Sequence, residues 1–566
     1  MPKIEVQQRF LYQLLGVELS DEQLERMFPV AKAELDAHDF ENEILKIELN
    51  DTNRPDLWSA AGIARQLNTY RNKKIPYYDF FSTAEESLDS GERRLIVHES
   101  ANLVRPYSIG FAVTGKKVDE TILLNLIQSQ EKICNNYGRK RKTIALGVYR
   151  SDLIAYPVHF EGADPDTAHF VPLHMNEDLT LREICAKHPK GLEFGHIVAD
   201  KPVFPFLYDD NKDVLSFPPV INSARIGAVE VGDENLFFEL SGTELDTLLL
   251  SASILACDCA DMGFKILPVR CQFSQETPFG TEITVPYYFQ KPIGCSLQFV
   301  RGMLGVDLSD EEIIDSLANM GVYSIIDDDM VYVTVPEYRN DFLHPVDIVE
   351  DVMIGYGLDR FSPTMPDDST VGRITEVEAF ARKVKDVMVG LGFQEMIYNY
   401  LGSKREYIDN MHVDGSGYIK ISNPMSENYE YVRPSIIPSL LESESVSGHA
   451  VYPHQIFEVG KVAFLDDSDD SGTVTKNYLG FLASASEMGF NQLNSLVSTL
   501  CYYIGKEYSV EERIDPRFIE GRSGTLLYKG TRVGVFGEIH PSVLESWGCS
   551  MPTIACEIDL DLLLAQ

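Results

Sequence analysis

Three groupings of side chains in this sequence have the types and spacing that chemistry needs. The run from Asp341 to Asp351 reads DFLHPVDIVED. Asp347, Glu350 and Asp351 fall at i, i+3 and i+4, so a helix with Pro345 in its first turn carries all three on one face, with Asp341 in the loop before it. Clustered carboxylates suit Mg²⁺, which keeps several waters and takes few protein ligands, often beside groups from another chain or a nucleotide. The same spacing also serves a plain helix start, where the macrodipole favours acidic residues by about 0.3 to 1 kcal/mol each. In Leu236-Phe237-Phe238-Glu239-Leu240-Ser241, strand alternation puts Glu239 and Ser241 on one face. That pair lines a pocket or forms the wet side of an ordinary strand. The four consecutive cations Arg139-Lys140-Arg141-Lys142 read as a phosphate-binding run or as a solvated face.

The chain around these groupings has 566 residues and a formal charge of −38. That length implies about three to five domains, and that charge counts against a protein that coats nucleic acid over most of its surface. A nucleic-acid function would need a local basic patch or a partner that supplies the cations facing phosphate. The opening MPKIEVQQRF has no long apolar stretch, and no later run approaches the roughly 18 apolar residues of a membrane span. A soluble cytoplasmic protein that does not touch a membrane is expected. The nine cysteines (134, 185, 257, 259, 271, 295, 501, 549 and 556) form neither a CxxC pair nor a disulfide framework, which predicts buried free thiols.

An α+β multidomain fold is predicted, in four modules. Residues 1–85 form a small α+β module, with Ser20 and Gln23 as a capping box. Residues 86–275 are a mixed α/β region that holds Glu239 and the basic run. Residues 287–362 form a second small α+β module ending in the acidic segment. Its Gly305-Val306-Asp307-Leu308-Ser309-Asp310-Glu311-Glu312 echoes Gly16-Val17-Glu18-Leu19-Ser20-Asp21-Glu22-Gln23, so two copies of one fold are expected. A linker over 361–372 leads to residues 363–566, where Thr375 and Glu378 cap a long helix and Val377, Phe380, Val384, Val387 and Leu391 fall at helical spacing. Residues 455–460 and 534–539 read as strands of an antiparallel sheet.

Taken together, several segments resemble the β subunit of phenylalanyl-tRNA synthetase, of the shorter archaeal and eukaryotic-cytosolic type. They are Asn53-Arg54-Pro55-Asp56-Leu57, the stretch from Gly138 to Tyr149, the run from Ser216 to Asn222, Tyr338 through Gly357, and Asn423-Pro424-Met425-Ser426-Glu427. Their order along the whole chain makes the likeness specific, where any one alone would be weak.

The resemblance implies a ligase complex that attaches phenylalanine to tRNA(Phe) with ATP, an α-subunit partner in an α2β2 heterotetramer, and Mg²⁺ shared with that subunit through Asp341, Asp347, Glu350 and Asp351. It also implies an editing domain at 86–275 that hydrolyses mischarged Tyr-tRNA(Phe), with a pocket including Leu207, Ser216, Glu239 and Ser241, to which we add Asn222. Arg139, Lys140, Arg141 and Lys142 become candidates for touching tRNA. The C-terminal module resembles a class II synthetase catalytic domain, yet lacks the family's Gly-x-Gly-x-x-x-Arg stretch, so adenylate formation is expected on the α chain, with the helix from Glu376 to Leu391 at the subunit interface. A free-standing deacylase and a binding protein without chemistry are the competing readings.

Overall fold

The computed structural model describes residues 2–565. The chain folds into two compact units, residues 1–364 and 365–566. Residues 362–375, around that boundary, hold no regular element.

The first unit contains one small module twice. Strand Lys3–Gln7, helices Gln8–Leu15 and Asp21–Met27, and strands Ala33–Asp39 and Ile44–Leu49 form a three-stranded sheet with the last strand in the middle. Strand Ile293–Ser296, helices Leu297–Leu304 and Asp310–Asn319, and strands Tyr323–Asp327 and Met330–Thr334 repeat both the order and the pairing. Alternation builds each sheet: Leu45, Ile47 and Leu49 point into the core while their neighbours are half-buried. Both capping boxes form, Ser20 with Gln23 and Ser309 with Glu312. Each copy then runs into an Arg-x-Asp turn, Arg54 to Asp56 and Arg339 to Asp341, and into a further helix, Ala60–Asn72 or Pro345–Tyr356.

Between the copies lie two larger sheets. One is four-stranded and antiparallel, in the order Lys265–Leu267, Tyr107–Thr114, Leu236–Gly242, Ile144–Arg150. The largely buried helix Leu245–Asp261 packs across it. The other is a mixed seven-stranded sheet that includes Val158–Ala163, Phe204–Tyr208, Val214–Phe217 and Ile221–Asn222. Helix Glu120–Lys132 starts from Asp119 as its cap.

The second unit is built on a seven-stranded sheet, in the order Gln394–Glu395, His454–Leu465, Thr473–Ser484, Thr553–Asp559, Thr531–Ile539, Phe518–Tyr528, Ser509–Glu512. All its pairs are antiparallel except the first. Helices Glu376–Gly390 and Phe490–Ile504 cover it, packing Phe380, Val384, Met388, Leu493 and Val497 against Phe457, Phe481 and Phe536. One face of helix Glu376–Gly390 therefore covers this unit's own sheet, through Phe380, Val384 and Met388. No helix among the described residues is long and apolar enough to cross a membrane. All nine cysteines are free, seven of them buried.

Candidate functional site

Strand Leu236–Gly242 is buried along its whole length, so the face carrying Glu239 and Ser241 is not a wet one. Glu239 is 1 % exposed and lies opposite Gly110 on one neighbouring strand and Gly147 on the other. Two glycines at paired positions leave the space beside the carboxylate to more distant side chains. A Cβ on Gly147 would sit 2.0 Å from the Tyr149 hydroxyl, so the glycine is what admits that phenol. Ser108 Oγ donates to Glu239 Oε1 at 2.7 Å. The Tyr149 hydroxyl donates to Ser216 Oγ at 2.7 Å and lies 3.5 Å from Glu239 Oε2. Burial pushes the Glu239 carboxyl up to about 7, against the opposing pull of Ser108, Arg105, Ser241 and Tyr149. Burial likewise raises the Tyr149 phenol well above its usual value. The carboxyl is poised to change charge near neutrality, as catalytic and binding carboxyls often are.

These groups border a cavity of about 560 Å³ whose walls include Ser216, Asn222 and Glu239, three of the five residues expected there. Its size is in the range of small-molecule sites. Leu207 and Ser241 do not line it. Leu207 is fully buried, paired with Ser216 across adjacent strands, and supports the wall from behind. Ser241 is also fully buried; its hydroxyl has no well-aligned hydrogen bond, although it lies close enough to steady the Glu239 carboxylate. Sequence spacing does not single out Ser108, Tyr149 or Arg105. The only trace of them there is that Tyr149 ends the stretch beginning at Gly138.

The basic run sits beside this cavity. Arg139, Lys140 and Arg141 have positive φ of 49°, 55° and 66°, a conformation that L-residues hold only when the surroundings fix it. The N–H groups of Arg139, Lys140 and Arg141 donate to the carbonyls of Asn136, Asn135 and Cys134, and Arg105, 2 % exposed, donates to the carbonyls of Arg141 and Lys142 and, at 2.6 Å, to that of Ser241. Burial lowers Arg105 to about 10, which leaves it a cation. Arg141 is turned inward: it donates to the carbonyls of Pro219 and Val220 and stacks 4.1 Å from the Phe194 ring. It braces the cavity wall, so Arg139, Lys140 and Lys142 are the exposed members of the run.

In the acidic segment each of the four carboxylates has a partner of its own within the chain. Arg339, 1 % exposed, grips Asp341 through Nε at 2.9 Å and Nη2 at 2.6 Å, and reaches Asp351 through Nη1 at 2.5 Å. Burial alone would raise Asp341, but Arg339 outweighs it and holds the carboxyl below the usual carboxylate range. Asp347 accepts the backbone N–H groups of Leu343 and His344, both at 2.7 Å, completing a capping box with His344. Glu350 meets Lys32 of the first small module at 3.0 Å, and Lys32 also pairs with Asp51 at 2.6 Å. Among the described residues no three His, Cys, Asp or Glu side chains are grouped to hold a metal. Within this chain an internal guanidinium pairs with Asp341 and Asp351. Asp347 and Glu350 are the pair left toward the surface, where a second chain would have to complete any metal site.

Comparison with known proteins covers most of this architecture. Residues 362–560 match the family model for the phenylalanyl-tRNA synthetase beta chain CLM domain. Residues 293–358 match the tRNA synthetase B5 domain, and residues 1–73 the Phe-tRNA synthetase beta subunit B1 domain. The phenylalanine-tRNA ligase beta subunit of Borrelia hermsii is 45 % identical over 565 residues, covering 100 % of both chains. That of Borreliella burgdorferi strain ZS7 is 44 % identical over 569 residues, again covering 100 % of both. Both relatives are bacterial. Among solved structures, an N-terminal fragment of the phenylalanyl-tRNA synthetase beta subunit from Pyrococcus horikoshii is 35 % identical, with a TM-score of 0.59, and covers 63 % of this chain and 100 % of that one. On full-length identity at this level, the chain belongs to the phenylalanyl-tRNA synthetase β-subunit family.

Proposed function

We propose that this chain works with an α subunit, as an α2β2 cytoplasmic assembly, to attach phenylalanine to tRNA(Phe) with ATP, and that its own chemistry is hydrolysis of mischarged Tyr-tRNA(Phe). The α chain then makes the adenylate. The observation that carries the editing reading is the buried carboxyl of Glu239 in the wall of a 560 Å³ cavity next to an exposed basic run. An apolar pocket shaped for phenylalanine rejects an added hydroxyl by only about 10²-fold. A second site that hydrogen-bonds the phenol does better, because phenylalanine leaves its buried polar groups unpaired.

In this cavity Glu239 Oε2 has the long approach of the Tyr149 hydroxyl at 3.5 Å and can accept a tyrosine hydroxyl, while Ser108 holds Oε1 and fixes the carboxylate's direction. Arg139, Lys140 and Lys142 would hold the RNA backbone outside. Mg²⁺ shared with the α subunit would be held through Asp341, Asp347, Glu350 and Asp351, of which Asp347 and Glu350 are the more exposed. The 35 % identity to the Pyrococcus horikoshii fragment supports the archaeal-type reading, while the full-length relatives named above are bacterial.

The purified αβ complex should deacylate Tyr-tRNA(Phe), and Glu239→Ala should abolish this while leaving phenylalanine charging intact. Absence of hydrolysis by the wild-type complex would refute the editing reading. Asp347→Asn with Glu350→Gln should weaken assembly of the complex, and unchanged assembly and charging would remove Mg²⁺ from this surface.

A further inference from the structure

The second unit holds a polar cavity of about 490 Å³ between residues 397–407 and helix Ile437–Val446. Tyr398, Tyr407 and Tyr429 line it together with Glu406 and Glu442, and no Lys, Arg or His among the described residues does. Tyr407 is 3 % exposed, yet its hydroxyl makes no hydrogen bond to a described residue and borders this space. A buried phenol normally finds a partner. Gly402 opens the hollow: a Cβ there would lie 2.6 Å from the Tyr407 hydroxyl and 2.8 Å from Glu406 Oε2. The Tyr407 phenol and the Glu406 carboxylate therefore pack side by side against Gly402, with Glu406 Oε2 also accepting the Ser403 N–H at 2.8 Å. Burial, and then Glu406, push the Glu442 carboxyl up, the response of two like charges that lack a cation.

The mouth of this cavity is apolar. Ile397 is 87 % exposed, Tyr429 42 % and Leu401 39 %. Exposed apolar groups around a polar centre form the pattern of a protein interface with one buried polar anchor. A guanidinium suits the centre, since it is planar, carries only donors, pairs with carboxylates and stacks on tyrosine rings. A small free cation would satisfy the carboxylates but leave the rim in water.

We infer that this cavity is a socket for an arginine side chain of another protein chain, whose apolar surface covers Ile397, Leu401 and Tyr429. The occupant is assigned to the companion subunit, which rests on the function proposed above.

The test is sedimentation of the full-length chain with its companion subunit across a salt series. Glu406→Gln with Glu442→Gln, checked for an unchanged circular dichroism spectrum, should weaken association about tenfold and flatten its salt dependence. Tyr407→Phe, which keeps the ring, should weaken it by a smaller factor. Unchanged affinity in both variants overturns the proposal, as does self-association of this chain that depends on the two glutamates. If the wild-type chain fails to bind the companion at all, the functional reading fails and the socket is judged with methylguanidinium alone. Calorimetric binding to wild type and not to the double variant then sustains it, and no binding to wild type overturns it.

Discussion

At the scale of single residues, Glu239 carries the most informative charge in the chain. Its carboxyl is raised from the ordinary 4.5 to about 7, so the folded state binds this proton more tightly than the unfolded chain. The associated stability is fully present below about pH 4.5 and is lost as pH rises through 7, for a total of roughly 3 kcal/mol. Glu239→Gln, a neutral isostere, should therefore raise the melting temperature at pH 8, with the gain shrinking toward pH 5; thermal melts at the two pH values check this. Deacylation of Tyr-tRNA(Phe) should rise between pH 6 and 8 as the carboxylate ionises and becomes able to accept the phenol. Strand alternation alone places Glu239 and Ser241 on a common face. The groups that define their environment are invisible to it, since Ser108, Tyr149 and Arg105 arrive from 131, 90 and 136 residues away along the chain. Only sheet pairing brings them together.

At the scale of elements, the helix Pro345–Tyr356 shows how far spacing can be read. Its proline start and the shared side of Asp347, Glu350 and Asp351 follow from sequence. Their ends diverge: Asp347 turns back to cap the helix, Glu350 reaches Lys32, and Asp351 points inward to Arg339. Arg339 stands just ahead of Asp341 in the chain, yet nothing in a periodicity count says that an arginine before the helix will fold beneath it. Removing that cation leaves two buried carboxylates unpaired, which costs about 3 to 5 kcal/mol. Arg339→Met should accordingly destabilise the first unit by that amount, read as a lower urea midpoint in fluorescence-monitored unfolding. The capping boxes are legible because they are local: Ser20 with Gln23 and Ser309 with Glu312 close as their spacing dictates. At Thr375 only the half from the Glu378 N–H to the threonine side chain forms.

At the scale of the whole molecule, a formal charge of −38 repels RNA at long range, and the exposed cations of residues 139–142 must act against that field. Changing Arg139, Lys140 and Lys142 to neutral residues should weaken tRNA binding by the complex. It should also reduce the slope of log K against log salt by about 0.7 to 0.9 for each phosphate left without its cation, measured by filter binding. An unaltered slope would make the run a solvated face. The echo between residues 16–23 and 305–312 reveals that a module occurs twice, but not that the copies meet. They do: helix Ala60–Asn72 of the first copy packs on helix Asp310–Asn319 of the second, and helix Pro345–Tyr356 of the second returns to the segment Phe28–Ala31 of the first. Gln66 reaches the Asn319 carbonyl, and Lys32 reaches Glu350. The two Arg-x-Asp turns also lie within electrostatic reach of each other, Arg54 feeling both Arg339 and Asp341. Such an exchange of equivalent surfaces is what a symmetric homodimer makes, here closed within one polypeptide whose chain supplies the local concentration. Equivalent positions in the two copies should then behave as a coupled pair: a double-mutant cycle on Arg54 and Arg339 should return an interaction energy well above the near-additivity of distant sites.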